Sequence, residues 1–312
     1  MKKLLKQLDL PVTKYEIIKG TEELHKYLEH NNDNYIKING KFRSLFETFH
    51  NTEYVLTELT IDEIEGMLGA VGDEFEFIVE EAIPESVEVG VELICVNGQY
   101  SKKNMVGIEV KNKGYIGRIM NRIDIPKEIT CITDKLSPIF NAFRYKGQYS
   151  DEIRVTKDHQ SYMLDACCRE PIPPSYLRQY MMKNYAEMLY YCALGQVREP
   201  EFDHEYGCEL VLDSITNEKN FVPIIIPDKY QKNVKLNKYM LHNNVPYVIP
   251  NGYLGSVVYS ADTLEEAIAG VKEIAESIKC NDIEFDFYAL ERALEEVKKL
   301  DEYDINFFKN EK

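Results

Sequence analysis

Glu152, in the segment DEIRV, and Asp165, in YMLDACCR, are the two residues whose type and spacing most suggest chemistry. Between them, residues 157–160 read KDHQ, a turn that folds the stretch into a hairpin. On neighbouring strands the two side chains converge if the register is right. Two carboxylates held together repel, and a cation between them removes the repulsion. Mg²⁺ beside nucleotide phosphates commonly uses one or two such carboxylates. Arg154 shares the strand face of Glu152, and Arg169 follows the second strand. An acid pair flanked by two guanidinium groups suits a metal beside an anionic substrate. A surface ion-pair network of little energetic weight reads the same way in sequence.

Three further segments carry smaller signals. Lys37 lies on the strand YIKING, and Lys41 and Arg43 follow in KFRSLFET. That grouping suggests an anion pocket or, equally, a solvated hairpin face. In IVEEAIPESVEVGVE, Glu81 and Glu88 flank the break at Pro84. Exposed backbone at such a break can pair with a base edge, and a following carboxylate can accept both hydroxyls of a ribose. The plain alternative is a hairpin with two solvated glutamates. Lys111, in GIEVKNKGY, ends a strand beside a glycine turn.

The elements that must position these residues are short and mixed. Residues 2–8 suggest a helix and KYEIIKG a strand, with Thr21 capping the helix TEELHKYLEHN. Residues 52–58 read as a strand, and Thr60 as the cap of IDEIEGMLGAVG. FEFIVEEAI and VEVGVELICV read as strands, the second running into an Asn-Gly turn. Residues 133–146 read as mixed and mainly helical. Prolines open and Gly195 closes PIPPSYLRQYMMKNYAEMLYYCALG, which reads as one long helix. Its Tyr and Met residues have helical spacing and read as a packing face. Residues 196–260 read as short strands, and two amphipathic helices follow, the first capped at Ser260 or Asp262. This is an α+β pattern with antiparallel hairpins, lacking GxGxxG and GxxxxGK[ST].

Composition narrows the function. The 312 residues carry 37 Lys and Arg against 53 Asp and Glu, a formal charge of −16. Nucleic-acid coating, which needs clustered cations, is therefore not expected. No apolar run reaches the roughly 20 residues of a spanning helix, so no membrane partner is expected either. Seven cysteines without a CxxC fit a reduced, cytoplasmic chain. The histidines stand alone, and no zinc set is spaced for ligation.

Taken in order over residues 11–195, these segments resemble the ATP-grasp ligases. LPVTKYEIIKGTEELHKYLEHNNDNYIKI is similar to the family's opening strand, helix and strand, which carry a phosphate lysine, here Lys37. IVEEAIPESVE is similar to the adenine hinge and ribose carboxylate. That implies Glu81, Ala82 and Ile83 at adenine and Glu88 at ribose. IEVKNKGYIGRIM is similar to the segment that brings a second phosphate lysine, here Lys111. EIRV and YMLDACCR are similar to the paired metal carboxylates followed by Asn and Arg. That implies Glu152 and Asp165 on Mg²⁺ and Arg169 near the acceptor. The layout is most similar to phosphoribosylamine–glycine ligase-like ATP-grasp proteins of phages and bacteria.

The resemblance implies the ATP-grasp fold, two α+β lobes with a nucleotide site between them. Residues 1–80 would be the first lobe and 81–195 the second, with 196–312 an extension packed on the second lobe. It implies ATP and Mg²⁺ and an acylphosphate formed from a small-molecule carboxylate. An amine or other nucleophile would displace the phosphate, forming a C–N bond and releasing ADP and phosphate. Lys37, Lys41, Arg43 and Lys111 would neutralise the phosphates, Arg154 and Arg169 would orient the acceptor, and residues 40–48 would form a lid. Three departures stand out. Cys167 replaces the family's Asn, and a thiol suits Mg²⁺ poorly. Only Gly40 remains of a glycine-rich phosphate loop. The α/β domain that usually precedes this point is not seen, and an early phosphate lysine is missing too unless Lys2 or Lys3 replaces it, so either a separate chain supplies these parts, or the protein is a shortened relative, or activity is lost. These departures keep open a second reading, a non-catalytic or partner-dependent nucleotide-binding module.

Overall fold

The computed structural model describes residues 1–39, 48–52 and 54–307. It divides into two compact units, Met1–Glu85 and Ser86–Lys312. Lys41 and Arg43, with most of the expected lid, lie outside the described residues.

The first unit runs α1 (Lys2–Gln7), β1 (Tyr15–Lys19), α2 (Thr21–Leu28), β2 (Asn34–Asn39), β3 (Phe49–Asn51), α3 (Tyr54–Leu68) and β4 (Glu76–Glu81). Its strands form an antiparallel sheet ordered β1-β4-β2-β3. Alternation along β2 and β4 turns Ile36, Ile38, Phe77 and Val79 inward, where Leu24, Leu28, Ile61, Ile64 and Leu68 of the two helices cover them.

Two local expectations fail here. Residues 54–58 open α3 instead of forming a strand, and Thr60 lies inside that helix. Thr57, Thr60, Ile61, Ile64 and Leu68 are buried at helical spacing, so tertiary burial overrides the strand preference of a short window. Nor does Thr21 cap α2. Gly20 holds the cap position at φ 86°, and Thr21 Oγ1 donates to Asp73 Oδ1 at 3.4 Å.

The second unit continues with β5 (Ser86–Val96), β6 (Gln99–Tyr100), β7 (Lys103–Val110), β8 (Gly114–Asn121), α4 (Lys127–Ala142), β9 (Lys146–Thr156), β10 (Ser161–Cys167), α5 (Ser175–Met181) and α6 (Tyr185–Ala193). It ends with β11 (Tyr206–Ser214), β12 (Val222–Ile225), β13 (Val234–Leu236), β14 (Tyr239–His242), β15 (Val245–Val248), β16 (Tyr253–Ala261), α7 (Leu264–Ser277), β17 (Lys279–Cys280), β18 (Ile283–Glu284) and α8 (Phe287–Leu300). One large antiparallel sheet runs β10-β9-β5-β7-β8-β11-β16-β13, with a small sheet β14-β15-β12-β17 beside it. Because β8 pairs directly with β11, the region after residue 195 completes the same sheet. The structure thus draws one boundary, at Glu85, where the sequence reading drew two.

The long helix expected after the prolines is two helices. Met182 leaves helical geometry to bridge Phe202. Lys183 N–H donates to Glu201 O at 2.8 Å, and Asn184 Oδ1 accepts from Glu201 N–H at 2.9 Å. Strand-like pairing of residues 182–184 thus interrupts the helix. The Tyr and Met residues do form packing faces. Leu177, Met181, Tyr176 and Tyr180 meet Met105, Tyr115 and Val258, and Met182 and Met188 pack on Ile94 and Val96. Thr263, not Ser260 or Asp262, caps α7, accepting from Glu266 N–H at 3.3 Å.

Candidate active site

In the first unit, Lys37 points from β2 toward the face that carries Glu80. Lys37 opposes Ile78 and Tyr35 opposes Glu80 in the β2–β4 ladder, so Lys37 and Glu80 share a face at an offset of two residues. Glu80 draws in two ammonium groups, Lys2 Nζ at 2.6 Å on Oε2 and Lys37 Nζ at 3.6 Å on Oε1. Thr13 Oγ1 donates to Oε2 at 3.2 Å. The three charged side chains are 7%, 11% and 6% exposed for Lys2, Lys37 and Glu80. Lys2 and Lys37 thus bring two cations to one carboxylate in a poorly solvated place. Glu80 escaped the sequence reading. Its only signal is its position two residues after Ile78, which matters only once the register is known.

Glu81 ends β4 opposite Asn34. Its N–H donates to Lys14 O and the Ala82 N–H to Asp33 O, both at 3.1 Å. Its carboxylate meets Lys14 Nζ at 3.2 Å in an exposed pair. Ile83 is buried. Pro84 and then Glu85, at φ 45°, turn the chain into the second unit.

The second unit assembles its predicted residues on one sheet face, in rows set by strand register. In the first row Tyr162 opposes Arg154, and Arg154 opposes Glu88. The Arg154 guanidinium contacts Glu88 Oε2 through Nε at 3.2 Å and Nη2 at 3.1 Å, and Nη1 donates to Ser86 Oγ at 3.3 Å. In the second row Asp165 opposes Glu152, and Glu152 opposes Gly90. This pairing depends on a bulge, because the register shifts between Met163 and Asp165 and passes over Leu164. In the third row Cys167 opposes Ser150, and Ser150 opposes Glu92.

Glu109 lies two residues beyond Gly107 on β7, and Gly107 opposes Gly90. It therefore joins the same face. Burial pushes its carboxyl up to about 8, with repulsion from Glu152, Glu92 and Glu88 adding to the shift. Glu92 is also raised to about 8, first by burial, with the Arg178 charge and the Ser150 hydroxyl opposing. The sequence reading missed both. Their signal was an acidic residue at inward-facing positions of strongly apolar strands.

Lys111 follows the end of β7 and Arg169 lies exposed after β10, where its Nη1 donates to Glu170 O at 2.7 Å. Cys167 Sγ lies 3.6 Å from Arg169 O. Burial raises its pKa, so the neutral thiol is favoured at this position. Among the described residues no three His, Cys, Asp or Glu side chains close on a common metal point. Glu152 and Asp165 face each other as ladder partners, and carboxylate oxygens are the kind of donor that Mg²⁺ takes.

No family model and no curated protein matches the chain. Solved structures do. Phosphoribosylamine–glycine ligase of Thermotoga maritima superposes with a TM-score of 0.72 at 15% identity, over 90% of this chain and 75% of the other. Biotin carboxylase of Campylobacter jejuni, solved in complex with β-γ-ATP, gives 0.60 at 16% identity, over 93% and 72%. An L-amino acid ligase of Bacillus licheniformis gives 0.57 at 15% identity, over 91% and 72%. The chain has the α+β architecture of these enzymes, the ATP-grasp fold.

Proposed function

We propose that the chain is an ATP-dependent ligase that joins a carboxylate to an amine or other nucleophile through an acylphosphate, releasing ADP and phosphate. The observation that carries this reading is the Glu152–Asp165 pair, opposed across a bulged hairpin beside the fixed guanidinium of Arg154. The likeness of fold to ligases and carboxylases supports it.

On this reading Glu152 and Asp165 hold Mg²⁺, which when bound neutralises charge developing on the transferred phosphoryl group. Lys2 and Lys37, gathered at Glu80, supply positive charge to the polyphosphate. Glu81, Ala82 and Ile83 border the adenine. Both guanidinium contacts of Arg154 go to Glu88 Oε2, and Oε1 is the oxygen for a ribose hydroxyl. Lys111 contributes to the phosphates, and Arg154 and Arg169 orient the acceptor carboxylate by paired N–H donors.

The test is hydroxamate and ADP formation from Mg·ATP, hydroxylamine and a panel of small carboxylic acids. Wild type is expected to give both products with at least one acid, and Lys37→Ala neither. Cys167, in place of an oxygen ligand, favours a second reading, nucleotide binding without turnover. Mg·ATP binding with no ADP formed across the panel would establish that one instead.

A further inference from the structure

The small sheet β14-β15-β12-β17 has an open edge beside an apolar face. β14 stands at its end. All four of its residues are exposed, Tyr239 at 49%, Met240 at 51% and Leu241 at 63%. Met240 opposes Tyr247, and Tyr247 opposes Pro223. Alternation puts Ile249 and Ile225 on that same face, and both are exposed. An antiparallel sheet with one open side normally turns polar residues toward it. Apolar residues there mark an interaction surface.

Two residues of β14 present their backbone groups to the open side. Ile249 N–H donates to Lys238 O at 2.9 Å. Bonding alternates along an antiparallel ladder, so Lys238, Met240 and His242 bond toward β15, and Tyr239 and Leu241 face outward. Open edges are usually guarded by charge. Glu16 and Lys19 lie on β1, Lys235 on β13 and Lys279 on β17, each an end strand of its sheet. The four residues YMLH of β14 carry no such charge.

Register decides what can pair there. Both ends of the strand are closed. Asn237 N–H donates to Leu254 O at 2.9 Å, and Asn243 and Asn244 turn the chain at φ 50° and 62°. A second β14 therefore has one antiparallel register that pairs both outward-facing residues, Tyr239 against Leu241 of the other copy. That register is its own mate about a twofold axis. Met240 then meets Met240, and Lys238 meets His242. The two Lys238 side chains stand about 14 Å apart along the strand, beyond the screening length of about 8 Å. The wider surface agrees. The chain carries −16, but residues 229–261 hold four lysines and no acid. A second, equally acidic copy meets no carboxylate from this stretch.

We propose that a second copy of this chain adds to β14, strand against strand about a twofold axis at Met240, joining the two small sheets and their apolar faces into one. A four-residue strand and the face beside it cover less than the roughly 800 Å² per partner of a standard interface. The dimer is therefore expected to form at micromolar concentration and to dissociate on dilution. None of this depends on the ligase reading.

The test is sedimentation velocity of the full chain from about 1 to about 200 µM. Wild type should pass from monomer to dimer over that range. Met240→Lys and Met240→Glu each set like charges face to face across the axis, and each should weaken the dimer about tenfold or more. An equimolar mixture of the two variants should recover it, because unlike charges then meet. Ile123→Lys, the same change at a residue 91% exposed elsewhere, should dimerise as wild type does. Far-ultraviolet circular dichroism checks that each variant is folded. Wild type that stays monomeric at the highest concentration overturns the proposal and leaves the edge to a different chain. A Met240→Lys variant that dimerises as wild type does, or a mixture that stays monomeric, overturns it too.

Discussion

Asp165 faces Glu152 only because Leu164 bulges out of the ladder between them. A one-residue slip exchanges the two faces of a strand. Without the bulge, Leu164 would oppose Glu152, and Asp165 would oppose Asp151 and point to the other side. Deleting Leu164, the unpaired residue, puts Asp165 directly after Met163 and so still opposite Glu152, and should retain the Mg²⁺-dependent part of ATP binding that Asp165→Ala abolishes. Leu164→Ala, which keeps the residue count, should retain it. Calorimetric titration with and without Mg²⁺ checks this, and a deletion variant that loses Mg²⁺-dependent binding as Asp165→Ala does would refute the register.

Glu80 balances Lys2 and Lys37 with little water around any of them. Removing one member of a buried charge cluster leaves its partners uncompensated, typically at a cost of about 3–5 kcal/mol. Glu80→Ala should lose stability of about that size in urea denaturation. Inorganic pyrophosphate should restore part of it, because the anion replaces the missing carboxylate. A loss below about 1 kcal/mol would mean that water screens the lysines as it does at a surface.

Glu209 predicts a pH effect well away from the metal pair. Burial raises its carboxyl from 4.5 to about 7, opposed by bonds from Ser256 and the Leu177 amide. Its Oε2 accepts the Leu177 N–H at 2.9 Å, while Oε1 is buried without a partner among the described residues. An acid with a raised folded pKa binds its proton more tightly in the fold. Its contribution to stability is therefore fully present below the unfolded value of 4.5 and is lost as pH rises through about 7. Glu209→Gln should melt closer to wild type at pH 4.5 than at pH 8, where the variant should gain. A difference that does not change with pH would contradict the assignment.

Gly207 and Gly90 give a contrast in packing. A Cβ on Gly207 meets Met181 Sδ at 2.5 Å and Leu177 Cδ1 at 2.8 Å, whereas one on Gly90 meets nothing nearer than 3.5 Å. Gly207→Ala should lose about 1–3 kcal/mol by overpacking. Gly90→Ala should be neutral or slightly stabilising, since glycine weakens a strand interior. Denaturant midpoints of the two variants decide it, and equal losses would contradict this view of the sheet face.

The sequence made some of this legible. Lys37 and Glu152 fall on strands, Asp165 on the far arm of the hairpin, and the alternation in β2 and β4 marks their buried faces. What stayed hidden depends on partners distant in sequence. The bulge at Leu164 leaves no local residue signal. Glu80 becomes a partner of Lys2 and Lys37 only through the β2–β4 register, and Glu109 joins the acidic face only through Gly90 and Gly107. Residues 52–58 misread as a strand because their helical burial continues into residues the short window did not include. The break at Met182 arises from pairing with Phe202, which no helix-propensity argument can see.

Glu152 and Asp165 are proposed to hold Mg²⁺ against a nucleotide. The most direct test is a thermal melt of wild type and of Glu152→Ala/Asp165→Ala with ATP, in Mg²⁺ or in EDTA. Saturating ligand at about 100 times its dissociation constant adds about 2.7 kcal/mol, a shift of several degrees. Wild type should show that shift with Mg²⁺ and lose most of it in EDTA, and the double variant should show only the EDTA-level shift in both. A double variant that keeps the full Mg²⁺-dependent shift, or a wild type that shows none at millimolar ATP, would contradict the account.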